Sequence, residues 1–101
     1  MQELTSTQRR YLRGRAHHLD PVVFVGKNGI SDSLIDSMDQ ALAAQELIKV
    51  KFVDRKDEKK ELCAELEERT GSNQVGLIGH VGIFYREAEE EDKRNYDLGG
   101  V

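Results

Sequence analysis

The sequence predicts one two-layer domain of the α+β or α/β class. Its element order is α-β-α-β-α-β-β, and its sheet is mixed and four-stranded. Three observations predict this. Apolar residues recur at helical spacing in some stretches and at strand spacing in others. Helical stretches separate the first three strand candidates, which implies crossover connections and some parallel pairing. The last two strand candidates lie close enough for an antiparallel hairpin. The 101 residues suffice for one domain with one modest core. That domain is expected over residues 3–87, with residues 88–101 as an acidic, disordered tail.

Thr5 to His18 reads as the first helix. Thr5 and Gln8 fit a capping box, in which each side chain bonds a free backbone N–H. Leu12, Ala16 and Leu19 fall on one side, while Arg9, Arg10, Arg13 and His17 share another arc, about 100° wide. Asp20-Pro21 ends the segment, because proline disfavours helix in the residue before it. Val22 to Val25 is a continuous apolar run, suited to a strand covered on both faces. Gly26 ends it. Ser31 is a good N-cap for a helix from about Asp32 to Gln45, whose Leu34, Ile35, Met38, Ala41 and Leu42 recur at helical spacing.

Leu47 to Val53 alternates, with Ile48, Val50 and Phe52 facing one way and Lys49 and Lys51 the other. Asp54 to Lys60 is a charged connection into a third helix. Leu62, Cys63 and Leu66 form its buried stripe, and Gly71 its C-terminal cap. Val75 to Ile78 and Ile83 to Tyr85 are the last strands, flanking a Gly79-His80-Val81-Gly82 turn.

The net charge is −4, but it is unevenly spread. Residues 1–60 carry 11 basic and 9 acidic residues, and residues 61–101 carry 4 and 10. The overall sign therefore hides a basic front half. Cys63 is the one cysteine, so no intramolecular disulfide forms. The first twenty residues lack the apolar core of a signal peptide, and no run approaches the ~18 apolar residues of a membrane span. The expected setting is the cytoplasm, with no membrane partner.

Five groups of residues are candidates for function. Gly26-Lys27-Asn28-Gly29 joins a strand to a helix start. Glycines let a backbone approach a ligand closely, helix N-termini favour anions, and a G-x-x-G loop clamps the nucleotide backbone in the KH module. A plain turn has the same pattern. The arc of Arg9, Arg10 and Arg13 offers planar donor forks for phosphates, in a helix from Thr5 to His18 that carries no acid. Lys49 and Lys51 read as ordinary solubility unless their face adjoins the glycine loop. His17, His18, His80 and Cys63 match no zinc spacing, so no metal is expected and Cys63 reads as a buried structural residue. Tyr85 and Arg86 end the last strand, and Tyr85 reads either as a base-stacking ring or as a half-buried strand residue. No H-E-x-x-H or G-x-S-x-G pattern and no triad occurs. The expectation is a protein that is not an enzyme, with no cofactor and no small-molecule substrate.

Three stretches together resemble the CRM domain (chloroplast RNA splicing and ribosome maturation), in its bacterial stand-alone, YhbY-like form. They are LTSTQRRYLRGRAHHLDPVVFVGKNGIS (Leu4 to Ser31), ALAAQELIKVKF (Ala41 to Phe52) and VGLIGHVGIFYR (Val75 to Arg86). The resemblance covers about residues 3–87. It implies a fold similar to the C-terminal domain of translation initiation factor three. It also implies RNA binding through the G-x-x-G loop and nearby basic surface, and association with precursors of the large ribosomal subunit. Carried onto this chain, the RNA-binding residues would be Gly26, Lys27, Asn28 and Gly29, with Arg9, Arg10, Arg13, Lys51, Lys49 and Arg86. One departure is Phe24-Val25 before the loop, where the family often has a polar residue and then an aliphatic one; Phe24 either packs or stacks. The first expectation is thus a ribosome assembly factor that binds ribosomal RNA. The alternative is a protein-interaction module that docks on a ribosomal protein or another factor through its acidic C-terminal part.

Overall fold

The structure, a computed structural model, describes residues 3–100. The first helix, α1, spans Ser6–Ala16. Its capping box is formed: the Thr5 N–H donates to Gln8 Oε1 at 3.0 Å, and the Gln8 N–H donates to Thr5 Oγ1 at 3.1 Å. Strand β1 is Val23–Val25. Helix α2, Asp32–Gln45, starts where Ser31 Oγ accepts the Leu34 N–H at 3.2 Å. Strand β2 is Leu47–Phe52. A 3-10 turn at Lys56–Glu58 leads into helix α3, Lys59–Thr70, which Gly71 caps at φ +67. Strands β3, Asn73–Ile78, and β4, Val81–Tyr85, form the hairpin. Its turn is tighter than the four residues expected. Ile78 pairs with Val81, so only Gly79 and His80 turn the chain, with Gly79 at φ +60. A positive φ at the first of two turn positions belongs to the type II′ hairpin, whose twist suits the strands.

The four strands form one mixed sheet in the order β1-β2-β4-β3. β1 runs parallel to β2, and the other neighbours are antiparallel. The two layers expected are three here. Ile48, Val50, Phe52 and Phe84 bury one face of the sheet against Ile35, Met38 and Leu42 of α2 and Cys63 and Leu66 of α3. Leu47, Val75, Ile83 and Tyr85 bury the other against Leu12 and Ala16 of α1. Alternation along β2 and β4 puts large apolar residues on both faces, so both need a cover.

Two further expectations give way. β1 is covered on one face only: Val23 and Val25 are buried, but Phe24 between them is 55% exposed. β1 lies at the edge of the sheet, and α1 packs over β2, β4 and β3 without extending across it. The segment after β4 does not hang free either. Leu98 is buried with Leu12, the Tyr96 ring meets Tyr85 edge to face at 6.2 Å, and Arg15 lies 5.6 Å from the Tyr96 ring centre. The anchor is Glu46, a buried carboxylate at φ +64 in the α2–β2 turn. It accepts the Ala88 N–H at 2.7 Å and also the Asn95 N–H. Two apolar side chains and one buried acceptor hold the strap, although its own acidic residues outnumber its basic ones. Val101 lies outside the described residues.

Candidate nucleic-acid interface

The Gly26–Gly29 segment is a closed turn, with the Gly29 N–H donating to the Gly26 carbonyl at 3.0 Å. Its two glycines have different reasons. Gly29 has φ +64, which side-chain-bearing residues rarely adopt, and a Cβ there would stand 3.3 Å from Arg55 Nε. Gly26 has neither constraint: nothing lies within 4 Å of where its Cβ would be. The fold demands glycine at 29. At 26 the missing side chain leaves open surface beside the turn.

Arg55 braces this loop, and sequence reasoning missed it. Its Nε donates to the Lys27 carbonyl at 2.8 Å. Its guanidinium pairs with Glu58 at 3.4 Å, and its own N–H bonds the Asp54 carboxylate. Arg55 holds this pose from a left-handed backbone, φ 52. With its carbonyl held, Lys27 presents its ammonium to solvent without a partner among the described residues, and Asn28 beside it is exposed. The loop forms one end of an open groove of about 380 Å³ between β1 and the serine side of α2, lined also by Phe24, Ser33 and Ser37. The α2 N-terminus next to it is less bare than expected. Asp32 occupies its first turn and pairs with Arg69 at 2.9 Å, which offsets part of the dipole's pull on an anion.

Lys51 joins the loop. It is the register partner of Phe24, so it projects from the same face of the sheet, one residue before the Val25–Phe52 pair that leads into the turn. It is exposed and unpaired among the described residues. The same end of the sheet carries Lys59, whose Nζ donates to the Gly79 carbonyl at 2.6 Å and lies 3.3 Å from His80 Nδ1. His80 titrates below the ordinary imidazole value, through desolvation and through the positive charges of Lys59 and Lys56.

The remaining cations stand elsewhere. Arg9 donates to the Gln74 carbonyl, and Arg13 donates to the Val75 carbonyl at 2.8 Å. The Arg13 stem lies on Gly76, where a Cβ would come within 2.8 Å of it. A bulge between Gln74 and Gly76 opens this seat. Both arginines therefore tie α1 to β3, at the edge opposite β1 and about 14 Å away at ordinary strand spacing. Arg10, on the outer side of α1, stays exposed. Lys49 reaches the His17 carbonyl at the end of α1, at 3.5 Å, where a cation complements the helix dipole. Arg86 lies at the other end of the sheet. Its guanidinium is engaged by the Asp39 carboxylate and the Thr70 carbonyl, both at 2.8 Å. The structure thus brings Gly26, Lys27, Asn28, Gly29 and Lys51 together, and leaves Arg9, Arg10, Arg13, Lys49 and Arg86 apart from them.

Tyr85 loses its functional reading, and Cys63 is the buried residue expected. Tyr85 is fully buried, its hydroxyl without a hydrogen-bond partner, and burial with the nearby Glu46 and Glu87 charges pushes its pKa well up. It presents no face to a base. Cys63 is buried, and its thiol is pushed up to about 11 by burial and by Glu67, against a smaller opposing effect of Lys59. A thiol so protonated is neither a nucleophile nor a ready metal ligand. Among the described residues no group of three or more His, Cys, Asp or Glu stands close enough to hold a metal ion.

Comparison with known proteins brings this geometry into a group. The model of the CRS1/YhbY (CRM) domain matches residues 4–86. The chain is 40% identical over 91 residues to an RNA-binding protein of Haemophilus influenzae, covering 89% of this chain and 92% of that one. It is 42% identical over 88 residues to the probable RNA-binding protein YqeI of Bacillus subtilis, covering 86% and 92%. The solution structure of the hypothetical protein SAV1595 from Staphylococcus aureus superimposes with a TM-score of 0.79 at 41% identity, over 94% of this chain and all of that one.

Proposed function

The chain belongs to the CRS1/YhbY (CRM) domain family, and on that premise we propose that it binds structured RNA through the Gly26–Gly29 loop. In this reading it acts in the cytoplasm as a non-enzymatic assembly factor on precursors of the large ribosomal subunit. The observation that carries the reading is the loop itself. Lys27 and Asn28 are exposed on a turn braced from behind by Arg55, and Gly26 is a glycine that the fold does not require. A phosphate can come against bare backbone there, with Lys27 and Lys51 supplying counter-charge. Arg9, Arg10 and Arg13, all on α1, would supply a second basic strip across the sheet. An RNA that touches both must span several nucleotides, which favours a folded RNA over a short single strand.

The test reverses the charges that have no structural duty. Arg13→Glu is a poor choice, because Arg13 holds β3 to α1. Lys27→Glu with Lys51→Glu leaves every internal bond in place. The expected result is a folded double variant that neither sediments with precursor large-subunit particles nor crosslinks to their RNA in cells. Normal crosslinking by the double variant would overturn the loop as the contact. Crosslinks that map mainly to mature messenger RNA would overturn the assembly role.

A further inference from the structure

Phe24 is a large ring on the outside of the protein, at the centre of a strand. Its neighbours in the run, Val23 and Val25, are buried. The other phenylalanines, Phe52 and Phe84, are fully buried. The ring sits on the part of the sheet that α1 leaves bare. One rung crosses all four strands there: Phe24 pairs with Lys51, Lys51 with Val81, and Val81 with Ile78. Paired residues project from the same face. Phe24 is 55% and Ile78 64% exposed, and Lys51 is exposed between them. The next rung on this face, with Lys49, Ile83 and Gly76, is already roofed by Arg13 and the end of α1.

We infer that Phe24 is a stacking platform for an unpaired nucleobase of the bound RNA, with Lys51 beside it for the neighbouring phosphate. The inference deepens the proposed function and rests on it. Three features select this occupant over a protein surface. The ring stands two residues before Gly26, about 7 Å of strand, within the reach of one nucleotide whose phosphate lies on the loop. The ring's register partner is a cation without a counter-ion among the described residues, and a cation beside an aromatic suits a base with its phosphate. Phe24 and Gly26–Gly29 also line one groove at the β1 edge. A base in a duplex cannot reach such a ring, so the platform makes the protein prefer RNA with an open loop or bulge.

The probe is an RNA hairpin carrying 2-aminopurine in its loop, compared with a fully paired RNA duplex. Phe24→Ala should weaken hairpin binding about tenfold, within the roughly 5- to 150-fold that base–aromatic stacking spans, and leave duplex binding unchanged. Phe24→Trp should restore hairpin affinity. The 2-aminopurine emission should be quenched by the wild type and by Phe24→Trp, but not by Phe24→Ala. If Phe24→Ala binds the hairpin like the wild type while Lys27→Glu weakens both RNAs, the platform is wrong and the RNA-docking reading stands. Equal weakening of hairpin and duplex by Phe24→Ala also overturns it, because a ring that merely props the loop acts on both. A wild-type protein that binds neither RNA removes the platform and the proposed function together.

Discussion

Lys27 and Arg86 each stand just past the end of a strand, at opposite ends of one sheet. Arg86 is held by Asp39 and the Thr70 carbonyl. Lys27 keeps its ammonium in water while only its carbonyl is used, by Arg55. The same division runs through the two ends. At the Arg86 end, Glu46 is buried with two N–H donors, and Arg94 pairs with Glu87. At the Lys27 end, Lys51 is unpaired among the described residues and His80 stands near Lys59 and Lys56. Charges that complete the fold have partners drawn from distant sequence. Lys27 and Lys51 have none among the described residues. A count of basic residues cannot separate the two kinds, and their partners can.

The largest effect should come from breaking the satisfied end. Glu46→Ala strands two N–H groups that now bond a carboxylate, and should destabilise by about 3 kcal/mol. For a domain of this size that lowers Tm by roughly 15 °C. Calorimetry would show it, and RNA affinity of the folded variant should not change. Next comes the open end. Lys27→Glu with Lys51→Glu should weaken RNA binding about 10- to 100-fold, flatten the dependence on salt by about one phosphate per charge removed, and shift stability by less than about 0.5 kcal/mol. Fluorescence anisotropy at several salt concentrations, beside denaturant titration, tests both halves.

A smaller contrast lies inside the loop. Gly29→Ala should cost about 1–2 kcal/mol, because it forces φ +64 on alanine and crowds Arg55. Gly26→Ala should be close to neutral in urea titrations yet reduce RNA affinity, since its methyl stands where a phosphate would approach. If Gly26→Ala binds as the wild type does, the open surface at Gly26 has no role. The smallest effect concerns pH. His80 titrates below the ordinary imidazole value, through desolvation and its lysine neighbours. A nearby phosphate favours the imidazolium, so affinity should rise a few-fold as pH falls through that region. Fold stability should move the other way, because the unfolded chain takes up the proton more readily. His80→Gln should flatten this affinity profile.

Local signals made the elements legible. The Thr5–Gln8 capping box, the Ser31 cap and the Gly71 terminus each work within a few residues, so sequence alone places them. What depended on register was not legible. Phe24 lies in a continuous apolar run, and only the edge position of β1 exposes it. The internal partners of Arg9, Arg13 and Arg86, namely Gln74, Val75 and Asp39, come from far along the chain, so nothing near these arginines announced them. Arg55 was hidden in a charged connection, where nothing marks a residue that reaches back 28 positions. Tyr96 and Leu98 are two apolar side chains in an acidic stretch, too few to predict a packed strap.

That strap bears on how the chain is made. Glu46 leaves the ribosome long before Ala88 and Asn95, and Leu12 long before Leu98. During synthesis the face under α2 and α3 can close while the α1 face still lacks its last cover. Until residues 95–98 emerge, a buried carboxylate waits for its second donor, and Leu12 and Tyr85 are open to other apolar surfaces. Sealing of the second face therefore waits on residues 95–98, and before they emerge that face is open to capture by something else.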